Sequence, residues 1–364
     1  MKILLLPLML IYKIGVGIRN WMFDASILTS KKYDLPIISV GNITIGGTGK
    51  TPHTEYLLSL LSPTMKVAML SRGYKRSTKG FVLADVNSDC ESIGDEPFQI
   101  LKKFKDVVVA VDGNRCRGIE NLLESPYGKE LGAIVLDDAF QHRYVEPGIN
   151  ILLTDYHRLM TNDYLLPMGN LRESAKNRKR ANIVIVTKCP ESAQPIDYRL
   201  ITKDLNLFPY QNLYYTKYIY DELIPIFPAA KNIEITKEQL LEEKYEVLLV
   251  TGIVSQHYML EYLLQYTNNL QTIEYPDHHN YSNNDLLDIA NKFNSLEKEK
   301  KIIITTEKDA ARLIDNPYVP EDIKSVLFAL PIKVSFLFDQ KKKFNEQILG
   351  YVSKNKTNRG LFKK

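Results

Sequence analysis

The chain has 364 residues, 45% of them apolar and 25% charged, with a net charge of +4. That is an ordinary globular composition, long enough for two domains with separate cores, which excludes a chain too polar to fold. Three widely spaced cysteines, Cys90, Cys116 and Cys189, suggest neither a disulfide framework nor a zinc cluster and point to a reducing cytoplasm.

The N-terminus runs apolar from Ile3 to Tyr12, meets Lys13, and continues more weakly through Arg19, Trp21, Met22 and Phe23. This run is too short to cross a bilayer, which takes about 20 residues, and no small-residue cleavage site follows it. Two readings remain, a helix lying in a membrane interface and a buried packing helix.

An apolar strand is expected at Ile37 to Val40, followed by the glycine-rich turn Gly41-Asn42-Ile43-Thr44-Ile45-Gly46-Gly47-Thr48-Gly49-Lys50-Thr51. Glycines let successive N–H groups converge on an anion, and the helix that starts next adds its partial positive charge. Gly46, Gly47, Thr48, Gly49, Lys50 and Thr51 are therefore the candidate phosphate-binding residues, with Lys50 reaching the β- and γ-phosphates and the Thr51 hydroxyl ligating Mg²⁺. Thr44 stands where the usual motif begins with glycine, and Ile45 stands where a variant motif has lysine.

Further strands are expected at 66–70, 107–111, 133–136, 149–154 and 182–187, alternating with helical patterns as in a parallel sheet covered on both faces. Polar residues collect at the strands' C-terminal ends, where open α/β sheets bind ligands. Ser71-Arg72-Gly73-Tyr74 leaves the second strand. Gly94-Asp95-Glu96-Pro97 opens a helix, with Asp95 either its N-cap or a chemical group. Arg115 and Arg117 follow the third strand, in position to face phosphate. The fourth ends in Asp137-Asp138-Ala139-Phe140-Gln141-His142, the form of a Walker B segment in which one acid commonly orders Mg²⁺.

Leu165 to Glu173 is an apolar loop delivering the pair Arg172 and Glu173, whose arginine would stabilise charge on a transferring phosphoryl group, unless the two form only a surface ion pair. Basic clusters at Arg72–Lys79, Lys176–Arg180 and Lys341–Lys343 suit anionic lipid, a phosphorylated substrate or nucleic acid, or serve only as solvated surface.

Pro190 and Pro195 lead to a tyrosine-rich strand, Asn212 to Tyr220, which reads as a hinge into a second α/β unit with strands at 246–253 and 301–306. A return strand at 332–338 would pair with it, and a helix at 344–352 would pack back on the first domain, ahead of a disordered lysine-rich end. In the second unit Asp277-His278-His279 offers a base held by a carboxylate, or a structural loop. Thr305 to Asp309 and Thr187 to Pro190 both lack the pattern of guanine recognition.

In this order the segments Val40–Pro52, Ser71–Tyr74, Gly94–Pro97, Asp137–His142, Leu165–Glu173 and Asp277–His279, with Thr306–Asp309 in support, resemble the tetraacyldisaccharide 4'-kinase family. The resemblance implies a P-loop NTPase-like parallel sheet joined to a smaller α/β domain by a two-stranded hinge, with a membrane-associated N-terminal helix. Its divisions are a membrane-associated helical segment at 1–30, a P-loop kinase domain at 31–210, a second domain with the hinge strands at 211–338, and a C-terminal helix with a basic tail at 339–364. It further implies transfer of the ATP γ-phosphoryl, with Mg²⁺, to the 4'-hydroxyl of a lipid A disaccharide 1-phosphate precursor at the cytoplasmic face of the bacterial inner membrane. No nucleic acid and no obligate protein partner are expected. By that resemblance Asp137 would join Thr51 at Mg²⁺, Asp95 and His278 would be the acid-base pair, Asp138, Arg172 and Glu173 would line the reaction centre, and domain closure would limit hydrolysis by water. The alternative is a membrane-associated P-loop ATPase of the partitioning or targeting class, whose lysine is absent at Ile45.

Overall fold

The computed structural model describes residues 5–230, 235–254 and 256–361, with side chains as far as Asn355. The first four residues of the expected N-terminal segment and the last three of the basic tail lie outside them. The chain divides into two compact units, Met1–Tyr218 with Val334–Lys364, and Ile219–Lys333.

The first unit is built on β1 (Ile37–Asn42), β2 (Lys66–Ser71), β3 (Val82–Leu83), β4 (Val108–Val111), β5 (Leu131–Asp137), β6 (Ile149–Asp155), β7 (Ile183–Thr187) and β8 (Asn212–Tyr220). Short β-branched runs buried throughout, such as Ile37–Asn42 and Ile183–Thr187, are what a parallel sheet with both faces covered requires. In the second unit lie β9 (Ile224–Pro225), β10 (Glu246–Thr251), β11 (Leu270–Glu274), β12 (Lys301–Thr306) and β13 (Leu327–Leu330), after which β14 (Ile332–Phe336) returns.

The larger sheet has nine strands in the order β14-β8-β7-β6-β1-β5-β2-β4-β3. From β2 and β4 to β8 its pairings are parallel, and β3 joins antiparallel at the edge. The chain crosses β1 on passing from β5 to β6, so the order reverses there and the C-terminal ends of β1 and β5 meet, with Val40 opposite Asp137. Such a reversal leaves a crevice for a ligand.

On one face of this sheet, Ile38, Val40, Met69 and Val135 pack with Leu57, Leu58 and Leu61 of the helix Lys50–Leu61 and with Phe344, Ile348 and Val352 of the helix Lys341–Leu361. Each of those last three side chains is 2% exposed or less, and burial of such a side chain contributes roughly 1.5–3 kcal/mol. The terminal helix thus docks on the first unit. It continues to Leu361, where a disordered end was expected from Ser353 onward. On the other face, Ile37, Leu70 and Leu136 pack under Ile119 and Leu122 of the helix Arg115–Glu124, and Leu152, Val184 and Val186 under Met9 and Tyr12 of the helix Leu6–Asp24.

The smaller sheet has five strands in the order β11-β10-β12-β13-β9. Only β9 runs antiparallel to its neighbour, β13. β10 and β12 are legible in the sequence as continuous apolar runs. β11 is a half-exposed edge strand and β13 has four residues, too short and too mixed to carry a periodic signal. The unit boundaries at 218/219 and 333/334 fall inside β8 and β14, which are neighbours in the larger sheet.

Candidate active site

The glycine-rich turn links β1 to the helix Lys50–Leu61. Gly46 and Gly49 take φ of +99° and +85°, the left-handed region that glycine enters without steric cost. At Gly49 a Cβ would also collide with the Tyr218 hydroxyl. The loop's carbonyl oxygens are taken by neighbours. Arg158 donates to Ile45 O at 2.8 Å, Lys188 to Gly47 O, Thr187 to Thr48 O at 3.0 Å, and the His53 ring meets Gly49 O at 2.7 Å. Since a trans peptide points its N–H opposite its C=O, these contacts direct the Gly46, Gly49 and Lys50 amides to the other side of the loop. Asn42 donates to the Thr48 hydroxyl at 2.7 Å, fixing the turn from beneath. His53 is buried and its pKa falls to about 4 through desolvation, so it is a neutral brace.

Beside the loop lies an acidic cluster at the end of β5. Asp138, with φ of +45°, holds its carboxylate 3.8 Å from the Lys50 ammonium and 3.3 Å from the Arg172 guanidinium. Such a backbone in a non-glycine residue is strained and is commonly retained at functional sites. Asp137 is 2% exposed and accepts a 2.9 Å hydrogen bond from Thr54. Burial, then the charges of Glu96 and Asp138, push its pKa up to about 7 against the pull of Lys50 and Thr54. Glu96 is therefore part of this cluster, though the sequence singled out its neighbour Asp95. The available signal was the pair of adjacent acids opening one helix.

Two sequence expectations are corrected here. Gly94 is the N-cap of the helix Asp95–Lys103, and Asp95 is its first residue, so Asp95 is not spent on capping. Arg115 does not face the site's open side. It is 2% exposed and donates to the backbone carbonyls of Asp112 at 3.0 Å and Asp137 at 3.2 Å, while Arg117 pairs with Asp112 at 2.8 Å. Arg115 thus holds the turn after β5 from within. His142 accepts from the Arg115 amide at 3.3 Å, and its pKa is pushed down to about 4 by burial and then by the Arg115 and Arg19 charges.

Arg172 reaches Asp138 because its amide donates to Ile43 O at 2.7 Å, tying the loop 165–173 to the start of the glycine turn. Glu173 points elsewhere: it is 2% exposed and accepts from Arg180 at 2.7 and 2.8 Å, Asn177 at 2.7 Å, Gln141 at 3.0 Å and Asn20 at 3.4 Å. A carboxylate so surrounded anchors a loop. Gln141 also donates to Asn42 O at 2.6 Å, so the two loops and the glycine turn share one network.

In the second unit His278 has φ of +60°. Lys308 lies 3.2 Å from its Nε2 and Arg312 lies 3.3 Å from its Nδ1. Lys308 also pairs with Asp277 at 2.9 Å. Burial opposes the Asp277 charge, but the Lys308 hydrogen bond and neighbouring cations outweigh it and hold the carboxyl below its ordinary value. Arg312 is oriented by Asp309, which is fully buried and also takes the Gly252 amide at 2.9 Å and the Thr306 hydroxyl at 2.7 Å. The segment Thr306–Asp309 therefore caps its helix and supplies the groups that orient His278. His279 instead bonds Asp285 at 3.0 Å and stacks on Tyr275, a structural role.

A glycine turn at a helix start, a lysine directed to paired acids on the next strand, and a reversal of strand order at that point define a P-loop nucleotide-binding α/β protein. The family profile described as Tetraacyldisaccharide-1-P 4'-kinase matches residues 1–353, and the chain belongs to that family. It is 51% identical over 360 residues to "Tetraacyldisaccharide 4'-kinase" of Bacteroides fragilis strain YCH46, covering 98% of this chain and 95% of that one. The protein of that name in Porphyromonas gingivalis strain W83 is 42% identical over 355 residues, covering 96% and 97%. Among solved structures, "apo" form LpxK from Aquifex aeolicus in complex with ATP is similar with a TM-score of 0.72 at 26% identity, covering 96% of this chain and 99% of that one.

Proposed function

We propose that this protein transfers the γ-phosphoryl of ATP to the 4'-hydroxyl of a tetraacyldisaccharide 1-phosphate, the step that the family's name describes. Membership over nearly the whole chain carries the reading, and the arrangement around Lys50 accords with it. Phosphoryl transfer needs positioning and charge neutralisation more than covalent chemistry. In this mechanism the amides of Gly46, Gly49 and Lys50 cradle the β- and γ-phosphates. Lys50 leaves its long contact with Asp138 for the phosphate oxygens, and Arg172 meets the charge on the transferring group. Glu173 holds the Arg172 loop.

The acidic cluster suits a divalent cation. Burial, and then the charges of Glu96 and Asp138, keep Asp137 from ionising at its ordinary pH, a penalty that a bound cation relieves. Thr51 and Asp137 are the residues that would hold Mg²⁺, which when bound neutralises phosphate charge. Asp95 and His278 take the acid-base role that the resemblance implies. Lys308 and Arg312 set the His278 ring, and the ring nitrogen that holds the lone pair must exchange its cationic neighbour for the hydroxyl before it takes up the proton.

The helix Leu6–Asp24 exposes Leu8, Ile11, Ile14, Ile18 and Trp21, from 53% to 68%, at spacings that form one stripe. No helix among the described residues is long and apolar enough to cross a membrane. A stripe of this kind suits the headgroup region of a bilayer, which accords with an enzyme that meets its lipid acceptor at the cytoplasmic face of the inner membrane, the setting that the family resemblance implies. The partitioning or targeting ATPase reading has no support from the relatives. Incubation with γ-labelled ATP and lipid A disaccharide 1-phosphate, followed by locating the new phosphate, tests the function. A label at the 4'-position is the expected result. Acceptor-independent release of phosphate to water would overturn it.

A further inference from the structure

The helix Leu6–Asp24 is seated on the first unit by apolar contacts of Met9, Tyr12 and Phe23 and by polar ones. Asn20 and Phe23 are its buried residues. The segment after it roofs a cavity of about 560 Å³ whose lining includes Phe23, Leu28, Ser39, Asn150 and Arg180. Ser39 Oγ, Asn150 Oδ1 and Arg180 Nε find no protein partner among the described residues. In the C-terminal half of the helix Phe23 packs edge-on against Tyr144. Hydrogen bonds hold the helix as well. The Tyr12 hydroxyl donates to the Arg172 carbonyl at 2.7 Å, and Arg19 donates to the Gln141 carbonyl at 3.1 Å. The Asn20 amide donates to Glu173 at 3.4 Å, while Arg143 donates to the Asn20 carbonyl at 2.9 Å and to its side-chain oxygen at 3.3 Å.

All these bonds end on two loops. One follows β5 and carries Asp138, Gln141 and Arg143; the other carries Arg172 and Glu173. Asn20 alone among these helix residues uses its side chain to meet both. It is 8% exposed and sits on the inward face of the helix, where an apolar residue packs without needing partners.

We infer that Asn20 is a positioning residue for phosphoryl transfer: it couples the N-terminal helix to both loops of the reaction centre, so that the Arg172 and Asp138 geometry depends on how the helix is seated. It acts through Glu173 and Arg143 and does not take part in the chemistry. A lipid surface that takes up the stripe from Leu8 to Trp21 steadies the same helix, and Asn20 passes that order to the loops. The inference rests on the kinase reading for its catalytic readout alone.

The test compares the full-length Asn20→Leu and Tyr12→Phe enzymes with the unaltered one, by steady-state kinetics and by amide hydrogen exchange. Small displacements of positioning groups cost up to about 100-fold in rate. For Asn20→Leu, kcat is expected to fall about 10- to 100-fold with KM for ATP within about twofold. Exchange should quicken at 138–143 and 171–174 while β1 and β5 keep their protection. Tyr12→Phe, which removes one hydroxyl, should move the 171–174 loop in the same direction by less. Combining Asn20→Leu with Glu173→Gln should cost less than the product of the two single effects, since both act on one network. Unchanged kcat and unchanged loop exchange in the folded Asn20→Leu enzyme overturn the inference. Faster exchange throughout the first unit does so too, because that is a plain loss of stability. If the unaltered enzyme leaves the disaccharide unphosphorylated, the kinase reading fails, and the loop exchange still decides whether Asn20 orders the site.

Discussion

Lys50 and Asp137 are the two residues whose chemistry is most fully determined by their surroundings. Lys50 is 14% exposed at the start of its helix and directed toward Asp138, so its charge lies where the proposed mechanism puts the phosphate oxygens. We expect Lys50→Ala to lower kcat by about 100- to 1000-fold, the range for removing one preorganised group that stabilises transition-state charge, measured as 4'-phosphate formed. Asp137 makes a pH prediction. Its folded pKa, about 7, exceeds the ordinary value of 3.8, so ionisation favours the unfolded chain. The penalty is absent below about pH 4, grows as pH rises, and is complete above about pH 7. Without nucleotide, Asp137→Asn should therefore melt a few degrees above the unaltered protein at pH 8. The gap should close on acidification toward pH 4. Equal melting temperatures at pH 8 would show that Asp137 is ionised at no cost.

At the scale of elements, the two terminal helices illustrate different ways of docking. The helix Lys341–Leu361 fills the core with Phe344, Ile348 and Val352, and its position follows from apolar burial that any reader of its periodicity can anticipate. The helix Leu6–Asp24 keeps its most apolar side chains outward, an arrangement that makes sense only against a lipid surface or a partner. Ile14→Glu with Ile18→Glu, both on the exposed stripe, should leave the melting temperature within about 2 °C, as surface changes usually do. Sedimentation with phosphatidylglycerol vesicles should fall at least about tenfold, since two apolar contacts are lost and charge is added. Undiminished sedimentation would remove the stripe from membrane binding. The periodicity of this segment was legible from its residues. The inward placement of Asn20 was not, because a lone asparagine among apolar residues has no periodic signal.

Over the whole molecule, the groups assigned to catalysis are divided between two compact units. The residues proposed to bind nucleotide lie in the first, and His278 lies in the second. We expect His278→Ala to lower kcat by about 100-fold or more, the usual contribution of a positioned acid or base, with the dissociation constant for ATP within about threefold, read by equilibrium titration. A matching loss of ATP affinity would place His278 in donor binding. Its neighbours sharpen the expectation. Lys308 and Arg312 bracket the ring, and Lys308→Ala should also lower turnover by loosening His278.

The local sequence determined the parallel sheet, the glycine turn, the Walker B end of β5 and the return of the chain through β14. Those features depend on short-range rules: apolar periodicity, the conformational freedom of glycine, and polar residues where strands stop. Tertiary structure alone decided which polar residues face the chemistry and which support it. Arg115, Arg172 and Arg180 look alike in the sequence, yet Arg115 is turned to backbone carbonyls, Arg180 to Glu173 and Arg172 to Asp138. Glu96 joins the acidic cluster, and Glu173 is enclosed by donors. The physical reason is that a charged side chain's role is set by the partners and dielectric around it, and residues far apart in the chain supply both.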